Sequence, residues 1–121
     1  MKIEKVSISE KLSQFSDHWN PRIVGELNNQ QVKLTKVSGE FIWHKHDNED
    51  EMFLLIDGKL KIELRDKTII LDKGEFVIIP KGVEHRPVAD GEAHVMLFEP
   101  AQTLNTGNVK NNFTKEDLER I

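Results

Sequence analysis

Three histidines and one glutamate in this sequence have the residue types of a metal site. His44 and His46 are separated by one residue, Glu51 follows after a polar turn, and His85 comes much later, just beyond a Pro-Lys-Gly turn. In an extended strand, alternate residues project from the same face, so the imidazoles of His44 and His46 are expected to point the same way. With a carboxylate and a third imidazole, they would offer nitrogen and oxygen ligands to one divalent cation.

The segments around these residues are predicted to be strands joined by turns. Residues 40–43 have the composition of a strand that leads into His44, and residues 52–56 form an apolar run directly after Glu51. Acidic residues crowd the turn between the two segments, so Glu49 is an alternative to Glu51 as the carboxylate ligand. Because His85 is remote in sequence, only the tertiary fold can bring it to the other three residues.

These two regions resemble the two sequence motifs of the cupins. Both motifs combine histidines with turn glycines at fixed spacings, here His44-x-His46, four residues, Glu51, six residues, Gly58, and then Gly74, five residues, Pro80-x-Gly82-x-x-His85. The whole chain is similar to small single-domain cupins labelled mannose-6-phosphate isomerase-like. This resemblance implies a jelly-roll β-barrel with a metal held by His44, His46, Glu51 and His85. The spacing to Gly58 favours Glu51 over Glu49.

Short strands at regular intervals predict an all-β antiparallel barrel or sandwich. In residues 31–35, Val32 and Leu34 are predicted to face the core, and the residues that alternate with them, including Lys33, to face water. Asp57-Gly58 is predicted to form a type I′ hairpin between strands 52–56 and 60–65. The remaining predicted strands are 22–27, 69–71, 76–79, 86–88 and 94–98. We predict one domain over residues 1–121, with the barrel core at about 31–99.

Short helical segments are predicted at both ends of the chain. Ser9 is expected to cap a helical turn over residues 10–12. Thr114 is expected to begin a C-terminal helix, with Phe113 and Leu118 as a hydrophobic staple and acidic residues in the first turn.

The composition argues against several classes of protein. Hydrophobic residues make up 37% and charged residues 31% of the chain, and no apolar run approaches the ~20 residues of a membrane span. There is no cysteine, so disulfides and thiolate ligands are excluded. The net charge of −4, without a basic stripe, predicts no nucleic-acid partner. Residues 1–5 lack the apolar segment of a signal peptide, so we expect a cytoplasmic protein.

Two predicted strands, 52–56 and 76–79, are apolar without alternation, so both of their faces are expected to be shielded from water. One face would be the barrel interior. The other needs a cover, either the N-terminal segment or a second copy of the chain. We therefore predict a homodimer.

The ligand set is compatible with iron, manganese, cobalt, nickel, copper or zinc, and it leaves one or two coordination positions open. The first hypothesis is a metal-dependent enzyme that oxygenates or isomerises a small molecule, either an anion or an enolisable carbonyl compound. The alternative is a non-catalytic module that binds a small ligand or is stabilised by the metal. A third reading is an interaction protein with a vestigial site.

A catalytic base is harder to identify than the ligands. His94 is a candidate if the strand face that it shares with Met96 and Phe98 is interior, although a packed histidine explains the same pattern. Strand parity assigns the cavity to apolar residues and predicts a partly apolar ligand. The candidates for the cavity wall are Phe53, Leu55, Met96 and Phe98. Lys33 and Arg22 are candidates for contact with an anion, or else ordinary solvated residues.

Overall fold

The computed structural model describes residues 2–121, and in this range it contains one helix and seven strands. They are α1 Ile8–Leu12, β1 Arg22–Leu27, β2 Gln30–Glu40, β3 Glu51–Asp57, β4 Leu60–Leu64, β5 Thr68–Leu71, β6 Phe76–Ile79 and β7 His85–Pro100. All pairs of these strands are antiparallel. The predicted all-β jelly roll is confirmed. The helix found in residues 2–121 is too short to cross a membrane. Residues 1–5 were predicted to lack the apolar segment of a signal peptide, and Met1 of that segment lies outside the described residues.

The last strand, β7, holds the barrel together. The strand order is β1-β2-β7-β3-β6, with β4 paired to β5 and to β7. The first part of β7 pairs with β4, its second part pairs with β3, and β2 follows it over most of its 16 residues. The predicted strands 86–88 and 94–98 are therefore one strand. Gly91, at φ 80°, belongs to this strand and does not end it, because β2 continues to pair on both sides of Gly91.

The predicted hairpin at Asp57-Gly58 is wrong. β3 pairs with β6 and β7, whereas β4 pairs with β5 and β7. Gly58 has φ 89°, and a Cβ at this position would lie 2.7 Å from the carbonyl oxygen of Glu92. Glycine is needed here because the chain crosses closely over β7. A reversal at Asn28-Asn29 joins β1 to β2, with both asparagines left-handed at φ 48° and 63°.

The interior face of β2 is the reverse of the predicted one. Lys33 and Thr35 are 1% and 4% exposed and lie on the interior side of the strand. Leu34 is also fully buried, because Leu12 and Phe15 from the N-terminal segment pack over it on the outer side. Both faces of β2 are thus shielded, and polar residues occupy the inner one.

The main core is apolar and draws on six of the seven strands. Its buried members are Val37, Phe53, Leu55, Leu60, Ile62, Leu71, Ile79, Ala89, Ala93, Val95 and Leu97. At about 25 cal/mol for each Å² of buried apolar surface, this cluster supplies most of the driving force for folding.

The ends of the chain differ from the prediction in detail. Helix α1 exists, but Ser7 is its N-cap in place of Ser9. The C-terminal helix does not form, and residues 114–118 are bends and irregular structure. Side chains satisfy the backbone there: the Asn105 amide donates to Phe113 O, and its oxygen accepts from Lys115 N. A few residues with such local partners gain too little from helical bonding to nucleate a helix.

Candidate metal centre

Backbone pairing between two loops brings the predicted ligands together. His44 N–H donates to His85 O at 3.1 Å, and His85 N–H donates to His44 O at 2.9 Å, which makes an isolated antiparallel bridge. Gly82 N–H donates to the carbonyl of His46 at 2.8 Å. The predicted strand at 40–43 is wrong beyond Glu40, where β2 ends.

Glu51 begins β3 and completes the cluster. One ligand atom from each of His44, His46, Glu51 and His85 lies within 4.8 Å of the others, and all four residues are buried. Glu49 is half-buried and does not belong to this group, so the structure brings in Glu51 of the two candidate carboxylates.

Hydrogen bonds fix the orientation of two of the imidazoles. His44 Nδ1 lies 2.9 Å from Ile42 O, and His85 Nδ1 lies 2.9 Å from Val83 O. A carbonyl oxygen only accepts, so Nδ1 carries the proton in both neutral rings. The lone pair is then on Nε2, which is the arrangement that metal-bound histidines adopt when a backbone carbonyl holds the other nitrogen.

The remaining contacts fit a cation at the centre of the cluster. Glu51 Oε1 lies 3.3 Å from His85 Nε2 and 3.2 Å from His46 Nε2. Both ring nitrogens of His46 are buried without a hydrogen-bond partner. A neutral His85 Nε2 facing a carboxylate oxygen places two acceptors against each other, which only a proton or a cation relieves. Three nitrogens and one oxygen suit a divalent transition metal.

The charge states of the cluster also suit a metal. Burial, followed by the nearby His85, lowers the pKa of His44 to about 4. Burial alone would raise the pKa of Glu51, but the neighbouring side chains of Glu99, His46 and His85 bring this pKa well below its usual value. Neutral His44 and ionised Glu51 at neutral pH are the forms that coordinate a metal.

The lowered pKa of His44 predicts a pH-dependent stability of the chelator-treated protein. In the unfolded chain His44 takes up a proton near pH 6.5, whereas in the folded chain it does so only near pH 4. The unfolded state therefore binds more protons in this window, and stability falls with falling pH by up to about 3 kcal/mol. Urea unfolding across the window measures this loss. In His44→Gln this contribution should vanish, and an unchanged pH dependence in the variant would contradict the assignment.

A small cavity, with about 40 Å³ open to the centres of water molecules, lies against His44 and Glu51. Of the four residues that strand parity assigned to its wall, Phe53 lines it, and Leu55 is fully buried in the main core. Met96 faces the other way and packs against the cluster of Leu12, Phe15 and Leu34. The interior residues of β7 are the alternate ones, such as Val95 and Leu97, so the parity assignment was wrong for Met96 and Phe98.

The structure does not bring His94 to the cluster. His94 lies on the outer face of β7, because its neighbours Ala93 and Val95 are buried on the inner face. Its Nε2 lies 2.8 Å from Glu92 Oε1. The other oxygen of Glu92 contacts His18 at 2.9 Å. Arg22 is likewise engaged at the surface, with Asp17. The candidate catalytic base is therefore outside the described site.

Glu99 was missed as an interior residue, and Lys33, a candidate for contact with an anion or for a solvated position, is instead buried and paired with it. Lys33 Nζ lies 2.6 Å from Glu99 Oε2, and both side chains are at most 2% exposed. Glu99 also neighbours Glu51, and burial together with the charge of Glu51 raises the pKa of Glu99 well above its usual value. A sequence signal existed: Glu99 falls on the same strand parity as Val95 and Leu97, which places it inside the barrel.

Comparisons with known proteins agree with this architecture. The family model described as a cupin domain matches residues 32–99. A cupin-2 domain containing protein of Shewanella frigidimarina is 47% identical, with 78% of this chain and 93% of that one covered, at a TM-score of 0.78. Protein NMB1881 of Neisseria meningitidis is 26% identical, covering 80% and 99%, with a TM-score of 0.74.

A curated relative, YdbB of Bacillus subtilis (strain 168), is 36% identical over 80 residues, which span 65% of this chain and 65% of YdbB. The printed descriptions of these three proteins name no reaction. The fold, the buried cluster and the match to the family model over more than half of the chain lead to one conclusion: this protein belongs to the cupin domain family.

Proposed function

We propose that this protein is a metal-dependent enzyme that acts on a small molecule, with one divalent first-row transition metal bound by His44, His46, Glu51 and His85. One observation carries the proposal: the buried Nε2 atoms of His46 and His85 face the Glu51 carboxylate within 3.3 Å, and the ring nitrogens of His46 have no hydrogen-bond partner. A metal bound there would supply Lewis acidity or a position for dioxygen, because four ligands leave it coordinatively open.

The residues of the chain prepare this site in three ways. The carbonyls of Ile42 and Val83 hold the rings of His44 and His85 in the ligand tautomer. Burial keeps His44 neutral, so no proton has to leave it when a cation binds. The apolar cavity wall excludes water and strengthens electrostatic interactions at the cluster.

The chemistry of the cavity favours oxygenation over isomerisation. Within the described part of the chain, His44 and Glu51 are the titratable side chains on the cavity wall, and both are proposed ligands. An isomerase that moves a proton between carbons needs a separate acid or base near the substrate. The wall also holds no lysine or arginine among residues 2–121, which disfavours a phosphorylated sugar and hence the mannose-6-phosphate isomerase-like label.

The test is elemental analysis of the full chain, expressed with several first-row metals in the medium and purified without a nickel column. The proposal expects one metal near stoichiometric amounts in the wild type and little in His44→Ala. The metal found then decides the next assay, since a redox metal calls for an oxygen-uptake screen. A folded wild-type protein that retains no metal under any of these conditions would refute the proposal.

A non-catalytic binding module is the second candidate, and the same cavity supports it. The wall offers no acid or base apart from the proposed ligands among the described residues, so the site would suit capture of a ligand without turnover. A metal that serves only the fold should raise the melting temperature when bound. An enzyme should consume oxygen or substrate in proportion to its metal content, which the binding module should not do.

We further propose that the protein is a homodimer. Phe76 and Ile78 are 59% and 54% exposed on the outer face of β6, a terminal strand of the sheet, and the N-terminal segment covers Leu34 instead. A second copy of the chain would cover this face and pair the free edge of β6 in an isologous contact.

The dimer is tested by light scattering at micromolar concentrations. Phe76→Glu combined with Ile78→Lys should give a monomer, since it places charges in the interface. Leu27→Lys is the matched control, because Leu27 is 49% exposed on β1, at the other end of the strand order. A wild-type protein that is monomeric at all these concentrations would exclude the dimer.

A further inference from the structure

Three aromatic rings from distant parts of the chain meet above the cluster. Trp19 precedes β1, Phe41 follows β2, and Phe113 belongs to the C-terminal segment. The rings of Trp19 and Phe41 stack with centroids 4.6 Å apart, and Phe113 lies 5.1 Å from Phe41. Phe41 in turn meets the ring of His44 edge-on at 5.4 Å. The aromatic layer therefore lies directly against a proposed metal ligand.

The backbone of Trp19 is held in an uncommon conformation. Its φ is 59°, in the left-handed region that bulky residues rarely adopt. Two hydrogen bonds hold it there: its backbone N–H donates to Lys36 O at 2.9 Å, and its indole Nε1–H donates to Ser38 O at 3.0 Å. Strained residues of this kind concentrate at sites where a side chain must be aimed. The indole lines the cavity as a result.

The rest of the wall suits a neutral ligand. Phe53, Leu60, Val95 and Leu97 supply apolar surface below the aromatic layer. Asn105, a polar residue of the wall, has its oxygen and its amide nitrogen engaged by Lys115 N and Phe113 O. Away from the ligand cluster, an anionic group would lose its hydration without gaining a lysine or arginine partner from the wall. A flat apolar ring would lose little water and would gain contact with aromatic side chains.

From this wall we infer the substrate class: the cavity takes a small neutral molecule with a flat aromatic ring and an oxygen directed at His44 and Glu51, and Trp19 is the residue that selects it. The inference rests on the proposed function for the direction of the oxygen. The ring selectivity follows from the cavity wall alone. Trp19 acts as a specificity residue, because it lines the cavity and does not belong to the ligand cluster.

Three probes of similar ring size test this inference: phenol, cyclohexanol and phenyl phosphate. The chelator-treated full chain should bind phenol about tenfold more tightly than cyclohexanol, which is not flat, and more tightly still than phenyl phosphate, which is anionic and meets no lysine or arginine on the wall. In a Trp43→Phe background Trp19 is the sole tryptophan, so phenol should quench its fluorescence. Equal or tighter binding of phenyl phosphate would overturn the inference.

Variants of Trp19 locate the selectivity. Calorimetry should show phenol affinity falling about tenfold in Trp19→Leu, with recovery in Trp19→Phe, which keeps an aromatic ring and controls for folding. Trp43→Leu is the matched control, because Trp43 does not line the cavity; the centroid of its ring lies 3.9 Å from Arg65 Cζ. The phenol affinity of this variant should not change. Unchanged phenol binding in Trp19→Leu would reject the role of Trp19.

Failure of this inference is separable from failure of the proposed function. The titrations on chelator-treated protein test the ring selectivity without any metal, and loading with Co²⁺ is measured separately by elemental analysis. If the chain loads no Co²⁺ but keeps the Trp19-dependent preference for phenol, the proposed function fails and the inference stands. If it loads Co²⁺ and shows no preference among the probes, the inference alone fails.

Discussion

Glu51→Gln is expected to lower metal affinity by at least about 100-fold, which is more than removal of an outer hydrogen-bond partner of a metal ligand typically costs. The substitution keeps the shape of the side chain and removes its charge. The three imidazoles would then hold a divalent cation without a counter-charge, in a site where all four residues are buried. Competition against a chelator of known affinity measures the loss, and elemental analysis gives the remaining stoichiometry.

The same substitution should leave the metal-free fold intact. A glutamine amide can donate to the lone pairs on His46 Nε2 and His85 Nε2, which lie 3.2 Å and 3.3 Å from Glu51 Oε1 in the wild type. Glu49→Gln is the matched control, since it removes an acid two residues away that lies outside the cluster. Metal retention in Glu51→Gln equal to that in Glu49→Gln would remove Glu51 from the ligand set.

Lys33→Met should destabilise the fold by about 3 kcal/mol or more. Methionine fills most of the space of the lysine stem but removes the ammonium that lies 2.6 Å from Glu99 Oε2. Both side chains are at most 2% exposed, so solvent cannot replace the lost partner. The raised pKa of Glu99 allows it to take up a proton, which keeps the cost near the lower end of the range for broken buried pairs.

Urea unfolding measures this cost, and two variants control it. Lys33→Met combined with Glu99→Leu should recover most of the loss, because no buried carboxyl group is then left without its partner. Lys61→Met alters an exposed lysine of β4 and should change the free energy of unfolding by no more than about 0.5 kcal/mol. A value for Lys33→Met as small as that for Lys61→Met would show that the pair contributes nothing to stability.

The sequence predicted the members of the metal cluster well, because the residue spacings that identify them lie within two short segments. The spacing of His44, His46 and Glu51 in one segment, and of His85 after a Pro-x-Gly turn in another, is visible without knowledge of the fold. Strand positions followed from alternation and turn residues in the same way. The homodimer, the cytoplasmic location and the absence of a nucleic-acid partner stay predictions.

The errors inside the barrel concern relations between segments, whereas those at the chain ends are local: the cap of α1 is Ser7, and the C-terminal helix does not form. Alternation places Lys33 and Leu34 on opposite faces of β2 but does not say which face is inside, and here a cover from α1 buries the apolar one as well. The dipeptide Asp57-Gly58 signals a reversal, yet the strand that follows pairs with β7 instead of with β3. His94 was considered interior for the same reason. Alternation along a strand does not show which face is inside until the pairing register is known, and the sequence does not give that register.

β7 is the last strand in the sequence, and this affects the kinetics of folding. Without β7, the pairings that remain are the hairpin of β1 with β2, that of β4 with β5, and the contact of β3 with β6. Each is a two-stranded unit, which is marginal alone in water. The barrel can close only when β7 pairs with β2, β3 and β4. Pairings between strands that are distant in sequence form slowly, because they close long loops. During synthesis, His85 is made only after β1 to β6, so a metal bound by the cluster would stabilise the finished barrel but would not nucleate it.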